Sequence, residues 1–387
     1  MKMNCKFKLS LATALLGAWS VMAAPDNAGF INIVKTNSYV VPVSITGFDG
    51  EAASVLKFDL EVLGMGVTSP DKADFLVSGS QSGQVKGSLT PKGADRPFWA
   101  RAYAGGSVRA QAHAFANDIV KEIRGTEPIF LTRIAFRQQQ GRSTEIALSD
   151  FDGYNATVLT RDGTLVSGPS WIPGGRGLLY VSWKNGGEQI LEHNLSTGER
   201  RVFAGFPGAN LSPAVSPDGQ KVAMILSRDG NPNLWVCNMD RSGLHKLSST
   251  EDSGPTWSPD SGEICFVRRS GHASLQKVSA GGGAARPLRV AGVYGNVTSP
   301  DWSPDGKWIA FTSGSGNFVI WVAPAGGGDA QKLVEGEDPC WAPNSRTLVF
   351  SRRVSNKRTL CLLDVPTKRV KNVMQLSGSC SEPSWAR

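Results

Sequence analysis

Short apolar runs separated by tight polar turns fill the last two thirds of this 387-residue chain. The clearest example is Ser299–Ser313, in which Trp302 precedes a Ser-Pro-Asp-Gly turn and the apolar run Trp308–Phe311 follows it. Proline and glycine suit such a turn because proline presets φ and glycine accepts positive φ. β-Branched and aromatic residues after the turn favour a strand that is buried on both faces. The pattern therefore predicts paired strands joined by tight turns.

The same pattern occurs six times, and its anchor positions lie 39 to 45 residues apart: Trp171, Val215, Trp257, Trp302, Trp341 and Trp385. A repeat of this length, built from short strands, is typical of a β-propeller with one four-stranded sheet per blade. The alternative is an open β-sandwich with turn-rich strands, which six regular copies disfavour. The sequence therefore predicts an all-β propeller of six blades.

The sixth copy has only its first strand, which contains Trp385. Segments that match the second, third and fourth strands of a repeat lie much earlier, at Thr132–Arg137, Glu145–Ser149 and Ala156–Thr160. We expect the late strand to pair with these three early ones. Such pairing closes the ring and leaves no unpaired edge strand.

Residues 24–131 differ from the repeats and are predicted to form a small α/β domain before the propeller of residues 132–387. Glu51–Leu63 and the segment from Ser107 to Arg124 carry apolar residues at helical spacing, with Ser107 as the N-cap and Gly125 as the stop. Alternating or apolar segments predict five strands: Phe30–Val34, Val40–Thr46, Phe75–Gly79, Val85–Leu89 and Phe98–Tyr103.

Residues 1–23 have the pattern of a signal peptide. Three lysines precede an apolar run, Leu9–Trp19, that is too short to anchor the chain in a bilayer, and small residues follow it. We expect cleavage after Ala23, since cleavage after Ala24 leaves Pro25 at the scissile bond. Without these lysines the formal net charge falls from +8 to +5, and the excess is scattered, which argues against nucleic-acid binding. The prediction is an exported monomer that does not span the membrane.

Five cysteines follow this segment: Cys237, Cys265, Cys340, Cys361 and Cys380. Three of them, Cys237, Cys265 and Cys361, lie within predicted strands and are expected to behave as small buried hydrophobic residues. An odd number leaves one thiol unpaired in an oxidising compartment. Cys340 and Cys380 form the one pair considered for a disulfide, and the spacings do not suit a zinc site.

The sequence predicts no catalytic residue, metal site or cofactor. It has no Gly-x-Ser-x-Gly elbow, and its four histidines, His113, His193, His245 and His272, are not clustered, so we expect them to be structural. Asp150–Asn155 lacks the ligand order of a calcium loop and is predicted to be a hairpin turn. The two glycine triplets lack the lysine of a phosphate-binding loop.

Binding is the function that these exclusions leave. In a propeller, the loops that link one blade to the next emerge on one face around the channel, and the turns between second and third strands share that face. Acidic residues are frequent in the linking loops, whereas the turns are basic; the basic residues are Arg228, Arg268, Arg269, Arg352, Arg353 and Lys357. Polar loops on a rigid scaffold favour a protein-binding platform.

The sequence resembles the TolB family of the bacterial Tol-Pal envelope system. The resemblance covers the signal segment, the α/β domain and all six blades. Its most specific pieces are Thr132–Phe136 and Ser149–Asn155, because the Ser-Pro-x-Trp-Ser-Pro-Asp-Gly pattern also occurs in other propellers, including those of serine peptidases. The resemblance implies that the loop face binds the peptidoglycan-associated lipoprotein, Pal. It also implies that residues 24–37 contact the inner-membrane protein TolA.

The partner-binding positions expected from the loops and the resemblance form two sets. The Pal-facing set consists of Ala209, Asn210, Ser212, Asp252, Ser253, Asn296, Thr298, Glu337, Asp338 and Glu382. The TolA-facing set consists of Asp26, Phe30, Ile31 and Ile33. The function implied is a periplasmic, non-enzymatic platform that supports outer-membrane integrity and cell division. The alternative is a peptidase relative or small-ligand binder that uses the propeller channel.

Overall fold

The computed structural model describes residues 38–293, 295–314, 316–373 and 375–387. The predicted signal peptide, the predicted strand Phe30–Val34 and the four TolA-facing residues lie outside these ranges. The first part of the described chain is a mixed five-stranded sheet with two α-helices. Its strands are β1 (Val41–Thr46), β2 (Met65–Val67), β3 (Phe75–Gln81), β4 (Val85–Pro91) and β5 (Trp99–Tyr103).

The strand order in this sheet is β2-β1-β3-β4-β5, with β1 parallel to both neighbours and the other pairs antiparallel. Helix α1 spans Gly50–Val62 and α2 spans Val108–Arg124, within one residue of the predicted helices, and a 3-10 turn spans Pro70–Lys72. The Ser107 hydroxyl accepts a hydrogen bond from the Ala110 amide at 3.1 Å, and Gly125 ends α2 in a left-handed conformation. Strand β2 was not predicted, because three residues carry no readable periodicity.

Six four-stranded sheets follow, as predicted. Strands β6 (Arg133–Gln140), β7 (Ser143–Asp150) and β8 (Thr157–Val158) belong to blade 1. Blade 2 contains β9 (Val166–Ile172), β10 (Gly177–Ser182), β11 (Gln189–Asn194) and β12 (Arg200–Ala204). Blade 3 contains β13 (Asn210–Val215), β14 (Lys221–Leu226), β15 (Asn233–Asn238) and β16 (His245–Lys246).

Blade 4 contains β17 (Asp252–Trp257), β18 (Glu263–Ser270), β19 (His272–Ser279) and β20 (Arg286–Pro287). A two-residue strand, β21 (Val290–Ala291), then pairs with β25 (Gly328–Asp329) beside blade 5. Blade 5 contains β22 (Asn296–Trp302), β23 (Trp308–Gly314), β24 (Val319–Pro324) and β26 (Gln331–Glu335). Blade 6 contains β27 (Glu337–Trp341), β28 (Thr347–Val354), β29 (Lys357–Asp364) and β30 (Arg369–Asn372).

The last strand, β31 (Cys380–Trp385), completes blade 1 and closes the ring. It pairs antiparallel with β6, and Trp385 lies opposite Ile134. The indole N–H of Trp385 donates a hydrogen bond to Thr132 Oγ1 at 2.7 Å, and the ring is 2% exposed. The predicted pairing of the late strand with the early ones is confirmed.

The α/β part packs on blades 1 and 6 through one continuous hydrophobic core. Its buried members include Leu56 and Leu60 of α1, Phe151 after β7 and Val373 after β30. Polar contacts surround this core: the Arg369 guanidinium donates to the Met65 carbonyl at 2.7 Å, and Lys371 pairs with Glu61. The two parts therefore share a packed interface at blades 1 and 6.

All five described cysteines are free thiols, including the pair considered for a disulfide. Cys340 Sγ accepts a hydrogen bond from the Trp385 amide at 3.3 Å, at one end of β31. Cys380 lies at the other end of that strand, on the order of 15 Å away at 3.3 Å per residue. That separation is beyond the reach of a disulfide. In the ranges described, neither helix is both long enough and apolar enough to cross a membrane.

Candidate partner-binding face

Each inner strand of the propeller contains a β-bulge at the same place. The residue before the strand proline has a positive φ of 48–58° in all six blades, and strand register shifts there; the residues are Gly168, Ser212, Gly254, Ser299, Asp338 and Glu382. Four of these are not glycine, and such residues seldom adopt a left-handed conformation. The repeated bulge therefore builds a ring of six equivalent positions, which we call the mouth ring, where the linking loops meet the hub.

Below the mouth ring, the inner strands enclose a cavity of about 740 Å³. Its wall is formed by inner-strand prolines and by tryptophans such as Trp171, Trp257 and Trp302. At the other end, the Arg387 guanidinium pairs with Asp301 of blade 5 and donates to the Trp341 carbonyl of blade 6 at 3.1 Å. The hub cavity thus extends from the mouth ring to Arg387.

Three carboxylates lie at the mouth ring between blades 5, 6 and 1. Glu382 pairs with Arg137 at 2.7 Å and accepts a hydrogen bond from the Gly168 amide at 2.8 Å, and burial raises its pKa. Glu337 pairs with Arg358 at 3.3 Å. Asp338 instead accepts hydrogen bonds from two hydroxyl groups, Ser299 Oγ at 3.0 Å and Ser351 Oγ at 3.2 Å.

Two of the predicted Pal-facing residues are buried and hold their loops in shape. The Asn210 amide donates to the carbonyls of Gly208 at 3.0 Å and Phe206 at 2.8 Å, which ties the loop between blades 2 and 3 to itself. Asp252 accepts from Thr250 Oγ1 at 3.2 Å and pairs with Arg268 at 3.4 Å. Asn210 is 0% exposed and Asp252 is 2% exposed, so the loops that they shape, and not these two residues, form the accessible surface.

The other predicted residues lie on or beside the mouth ring. Ser212, Asp338 and Glu382 belong to it, and Ser253, Thr298 and Glu337 each directly precede a ring residue. Ala209 is half-buried beside Asn210, and Asn296 is exposed. The structure therefore brings these residues together around one opening, with Asn210 and Asp252 beneath the surface.

The turns between second and third strands surround the mouth ring with basic side chains. Five blades carry an exposed Lys or Arg in this turn; these are Arg142, Lys184, Arg228, Arg269, and Arg353 with Lys357. Arg142 and Lys184 were not among the basic residues singled out from the sequence. The turns that contain Arg142 and Lys184 differ in sequence from the others. Only the strand positions in the structure reveal that these two residues are equivalent to the basic residues of the other blades.

The Asp150–Asn155 turn lies at the opposite end of blade 1, where it contacts the α/β part. Phe151 is fully buried, with ring centroids 5.2 Å from Phe130 and 5.5 Å from His113. Asn155 has a left-handed φ of 52°, as a tight turn allows for asparagine. The prediction of a hairpin turn is confirmed, and its side chains in addition form the contact with α1 and α2.

Four ionisable residues form a buried cluster at this contact. His113 Nδ1 lies 2.7 Å from Asp59 Oδ2, and His113 Nε2 lies 3.3 Å from Asp152 Oδ2, which also pairs with Arg109. Burial lowers the pKa of His113, but hydrogen bonds to Asp152 and Asp59 outweigh it and raise that pKa to about 9. Burial raises the pKa of Asp59 to about 6. His113 therefore remains protonated at neutral pH and balances the two carboxylates.

The described part of the chain contains no group of His, Cys, Asp and Glu side chains arranged to hold a metal ion. His193, the other buried histidine among the described residues, lies in β11 of blade 2, and burial lowers its pKa. Neither buried histidine lies at the hub cavity, whose wall comes from the inner strands. The geometry around the mouth ring is that of a polar surface with an opening at its centre.

Comparison with known families identifies one match over most of the chain. The model of the TolB beta propeller domain matches residues 120–387. Two curated relatives are the Tol-Pal system protein TolB of Francisella tularensis subsp. mediasiatica (strain FSC147) and that of subsp. tularensis (strain WY96-3418). They are 30% and 29% identical to this chain over 150 residues. The match covers 36% of this chain, which spans only 34% of the length of either relative.

Solved structures show the same architecture. The crystal structure of TolB from Acinetobacter baumannii has a TM-score of 0.82 over 91% of this chain and 98% of that chain, at 20% identity. The putative TolB from Agrobacterium tumefaciens has a TM-score of 0.53 over 63% of this chain and 89% of that chain, at 18% identity. At these identities the likeness establishes the fold, with the α/β part and the six blades together.

Proposed function

Because the chain belongs to the TolB beta propeller family, we propose that it is a periplasmic protein-binding platform of the Tol-Pal envelope system. In this proposal the mouth ring and its linking loops bind the peptidoglycan-associated lipoprotein, Pal. The platform thereby supports outer-membrane integrity and cell division, and it performs no reaction. Residues 1–23 direct export and are removed.

The observation that carries the proposal is the mouth ring with the polar loops around it. Six hydrogen-bonded sheets hold these loops, and buried side chains such as Asn210 and Asp252 fix their shape. A preformed surface loses little conformational entropy on binding, which favours recognition of a folded protein. The proposed contact residues are the accessible members of the set: Ala209, Ser212, Ser253, Asn296, Thr298, Glu337, Asp338 and Glu382.

Site-specific photocrosslinking in cells tests this face. A photoreactive residue at Asn296 or Ser253 is expected to capture Pal, whereas the same residue at Gln220, which is exposed on a turn at the opposite end of blade 3, is expected not to. Titration calorimetry with purified Pal then gives the affinity. Capture at Gln220 but not at Asn296 or Ser253 would overturn the assignment of the face.

The second part of the proposal concerns residues 24–37, which precede β1 and include Asp26, Phe30, Ile31 and Ile33. We propose that they contact TolA, because the apolar residues in Phe30–Val34 suit strand pairing. Deleting residues 24–32 is expected to abolish binding to the soluble part of TolA and to leave the melting temperature of the propeller unchanged. Equal TolA affinity with and without the segment would refute this assignment.

The hub cavity supports a second candidate function, binding of a small ligand. A volume of about 740 Å³ lies within the range of ligand pockets, and its wall combines tryptophans with the Asp301–Arg387 pair. Thermal-shift screening of the wild type beside an Asp301→Asn variant tests this candidate. A ligand that stabilises only the wild type would support it, and hydrolysis of short peptides by the pure protein would support the peptidase alternative.

A further inference from the structure

Charges at the mouth ring do not balance within the chain. Glu382 and Glu337 are neutralised by Arg137 and Arg358, at 2.7 Å and 3.3 Å. The Asp338 carboxylate accepts hydrogen bonds from the hydroxyl groups of Ser299 and Ser351, and no described residue places a cation within 4.0 Å of it. One negative charge is therefore left without a counterion at the opening of the hub.

The surroundings of Asp338 make this charge unusual. Asp338 is half-buried, and its φ of 53° lies in the left-handed region. Aspartate adopts this conformation more readily than most residues, and glycine adopts it without strain. Its neighbour Glu382 is the mouth carboxylate whose pKa is raised, first by burial and then partly by the charge of Asp338. A cationic group at this point would relieve both carboxylates, since opposite charges attract more strongly where water is partly excluded.

The same blade carries uncompensated charge of the opposite sign further from the hub. The turn between β28 and β29 exposes Arg353 and Lys357, and neither forms an ion pair with any residue in the described ranges. Exposed apolar side chains lie in the same turn and in the corresponding turn of blade 5: Val354 is 50% exposed, and Phe318 is 43% exposed.

Blades 5 and 6 differ from the rest of the face in their exposed apolar side chains. The equivalent basic residues are paired in blades 2 and 3, Lys184 with Asp162 at 3.1 Å and Arg228 with Asp229 at 3.8 Å, whereas Arg142 of blade 1 and Arg269 of blade 4, like those of blade 6, have no ion pair with a described residue. Exposed large hydrophobic side chains occur in the second-to-third turn of blades 5 and 6 but not in that turn of blades 1 to 4, for the residues described. The sector combines an acidic residue at the opening with a basic turn and exposed apolar side chains.

We infer that this sector, defined by Asp338, Phe318, Val354, Arg353 and Lys357, sets the orientation of the docked protein, which inserts one Lys or Arg side chain beside Asp338. The partner's surface around that cation carries an apolar patch that covers Val354 and Phe318 and acidic residues that meet Arg353 and Lys357. The inference rests on the proposed function, because it assigns chemistry to the partner of that same face. A buried, charge-paired centre with an apolar surround is the arrangement in which few residues dominate affinity.

Binding kinetics with the soluble domain of Pal test the two zones separately. Asp338→Asn keeps the shape and tolerates the left-handed backbone, so the fold is expected to persist while the dissociation rate rises by roughly tenfold or more. The double change Arg353→Glu and Lys357→Glu is expected to lower the association rate by about tenfold at low salt. Raising the salt concentration screens exposed charges and should remove most of that second difference.

Arg176→Glu provides the matched control. Arg176 is exposed on the turn between β9 and β10, at the end of the propeller away from the mouth ring, and it forms no ion pair with the described residues. Both rates are expected to equal those of the wild type. Melting temperatures within a degree or two for all variants would confirm that binding, and not folding, is being measured.

The outcomes separate this inference from the function on which it depends. No binding by the wild type would overturn the proposed function and the inference with it. Tight binding by the wild type and unchanged rates for Asp338→Asn and the double variant would overturn the inference alone. Wild-type binding to anionic phospholipid vesicles that the double variant loses, without any effect of Asp338→Asn on Pal, would assign the basic turn to a membrane surface and also overturn it.

Discussion

Replacing Asp152 by asparagine tests whether a single charge in a turn of blade 1 fixes the α/β part on the propeller. Asp152 is 3% exposed and faces two cations, the Arg109 guanidinium and, at 3.3 Å, the His113 ring. The substitution preserves side-chain volume but removes the negative charge. His113 and Arg109 then share the remaining buried carboxylate, Asp59, and the distant Glu51, 3.9 Å from Arg109.

The substitution is expected to lower the free energy of unfolding strongly at acidic to neutral pH and less at alkaline pH. Removing one partner of a buried ion pair typically costs about 3–5 kcal/mol, and here about 3 kcal/mol is expected because Arg109 also stacks on Tyr154. The pKa of His113 is about 9 in the wild type, above its ordinary value, so its stabilisation is complete below about pH 6.5 and is lost as pH rises through 9. Without Asp152 the stabilisation by protonated His113 is smaller. The difference in the free energy of unfolding between the wild type and Asp152→Asn should therefore decrease by roughly 2 kcal/mol between pH 6.5 and pH 9.

Urea unfolding at pH 6.5 and pH 9, followed by tryptophan fluorescence and far-UV circular dichroism, measures the difference. Asp150→Asn is the control, because it makes the same change two residues away, in a half-buried side chain that accepts a hydrogen bond from Asn155 Nδ2 at 2.6 Å. It should cost less than about 1 kcal/mol at both pH values. A double variant with His113→Gln should cost less than the sum of its single changes.

Two results would refute the reasoning. If Asp152→Asn and Asp150→Asn destabilise equally, the buried charge does not fix the interface. If the difference from the wild type does not change with pH, His113 is not the group that Asp152 stabilises in its protonated form.

Three other substitutions or measurements have definite expected outcomes. Trp385→Ala should destabilise the propeller by about 3–5 kcal/mol in denaturant titrations, because it empties a buried site and removes the hydrogen bond to Thr132 across the ring closure; a cost below about 1 kcal/mol would contradict its closing role. Gly153→Ala should lower the melting temperature, since φ is 89° and the added Cβ lies 2.5 Å from Val373 Cγ1. The native thiols should stay unreactive toward a disulfide reagent at pH 8 and react fully in urea, because burial raises their pKa values, that of Cys340 to about 12; fast native labelling would contradict this.

The repeat could be predicted from the sequence because residues that are close in sequence determine each of its turns and strands. Each blade carries its own turn and its own apolar run, and the only long-range step, pairing of β31 with β6, follows from counting which strands a partial copy lacks. The two helices could be predicted for the same reason, since Ser107 and Gly125 mark the ends of α2 by local conformational preference. The three-residue strand β2 has no period of its own and forms because β1 offers it an edge.

The polar contacts depend on residues that are distant in sequence, and this is why they could not be predicted. His113 was expected to be structural, but its partners Asp59 and Asp152 lie on another helix and in the propeller. Asn210 and Asp252 were expected at the surface because polar residues in loops usually are. Their burial follows from loops that turn back over them, which no local pattern records.

Blade 6 connects the α/β part with the proposed Pal-binding face. At one end, Arg369 and Lys371 of β30 bond to Met65 and Glu61 of the α/β part. At the other end, the same sheet carries Asp338 and the turn of Arg353. Coupling between two sites requires an element with two arrangements that both ligands bias, and a fully hydrogen-bonded sheet buried on both faces is a poor candidate for one. If TolA and Pal influence each other on this protein, blade 6 is therefore expected to act as a rigid support and not as the moving element.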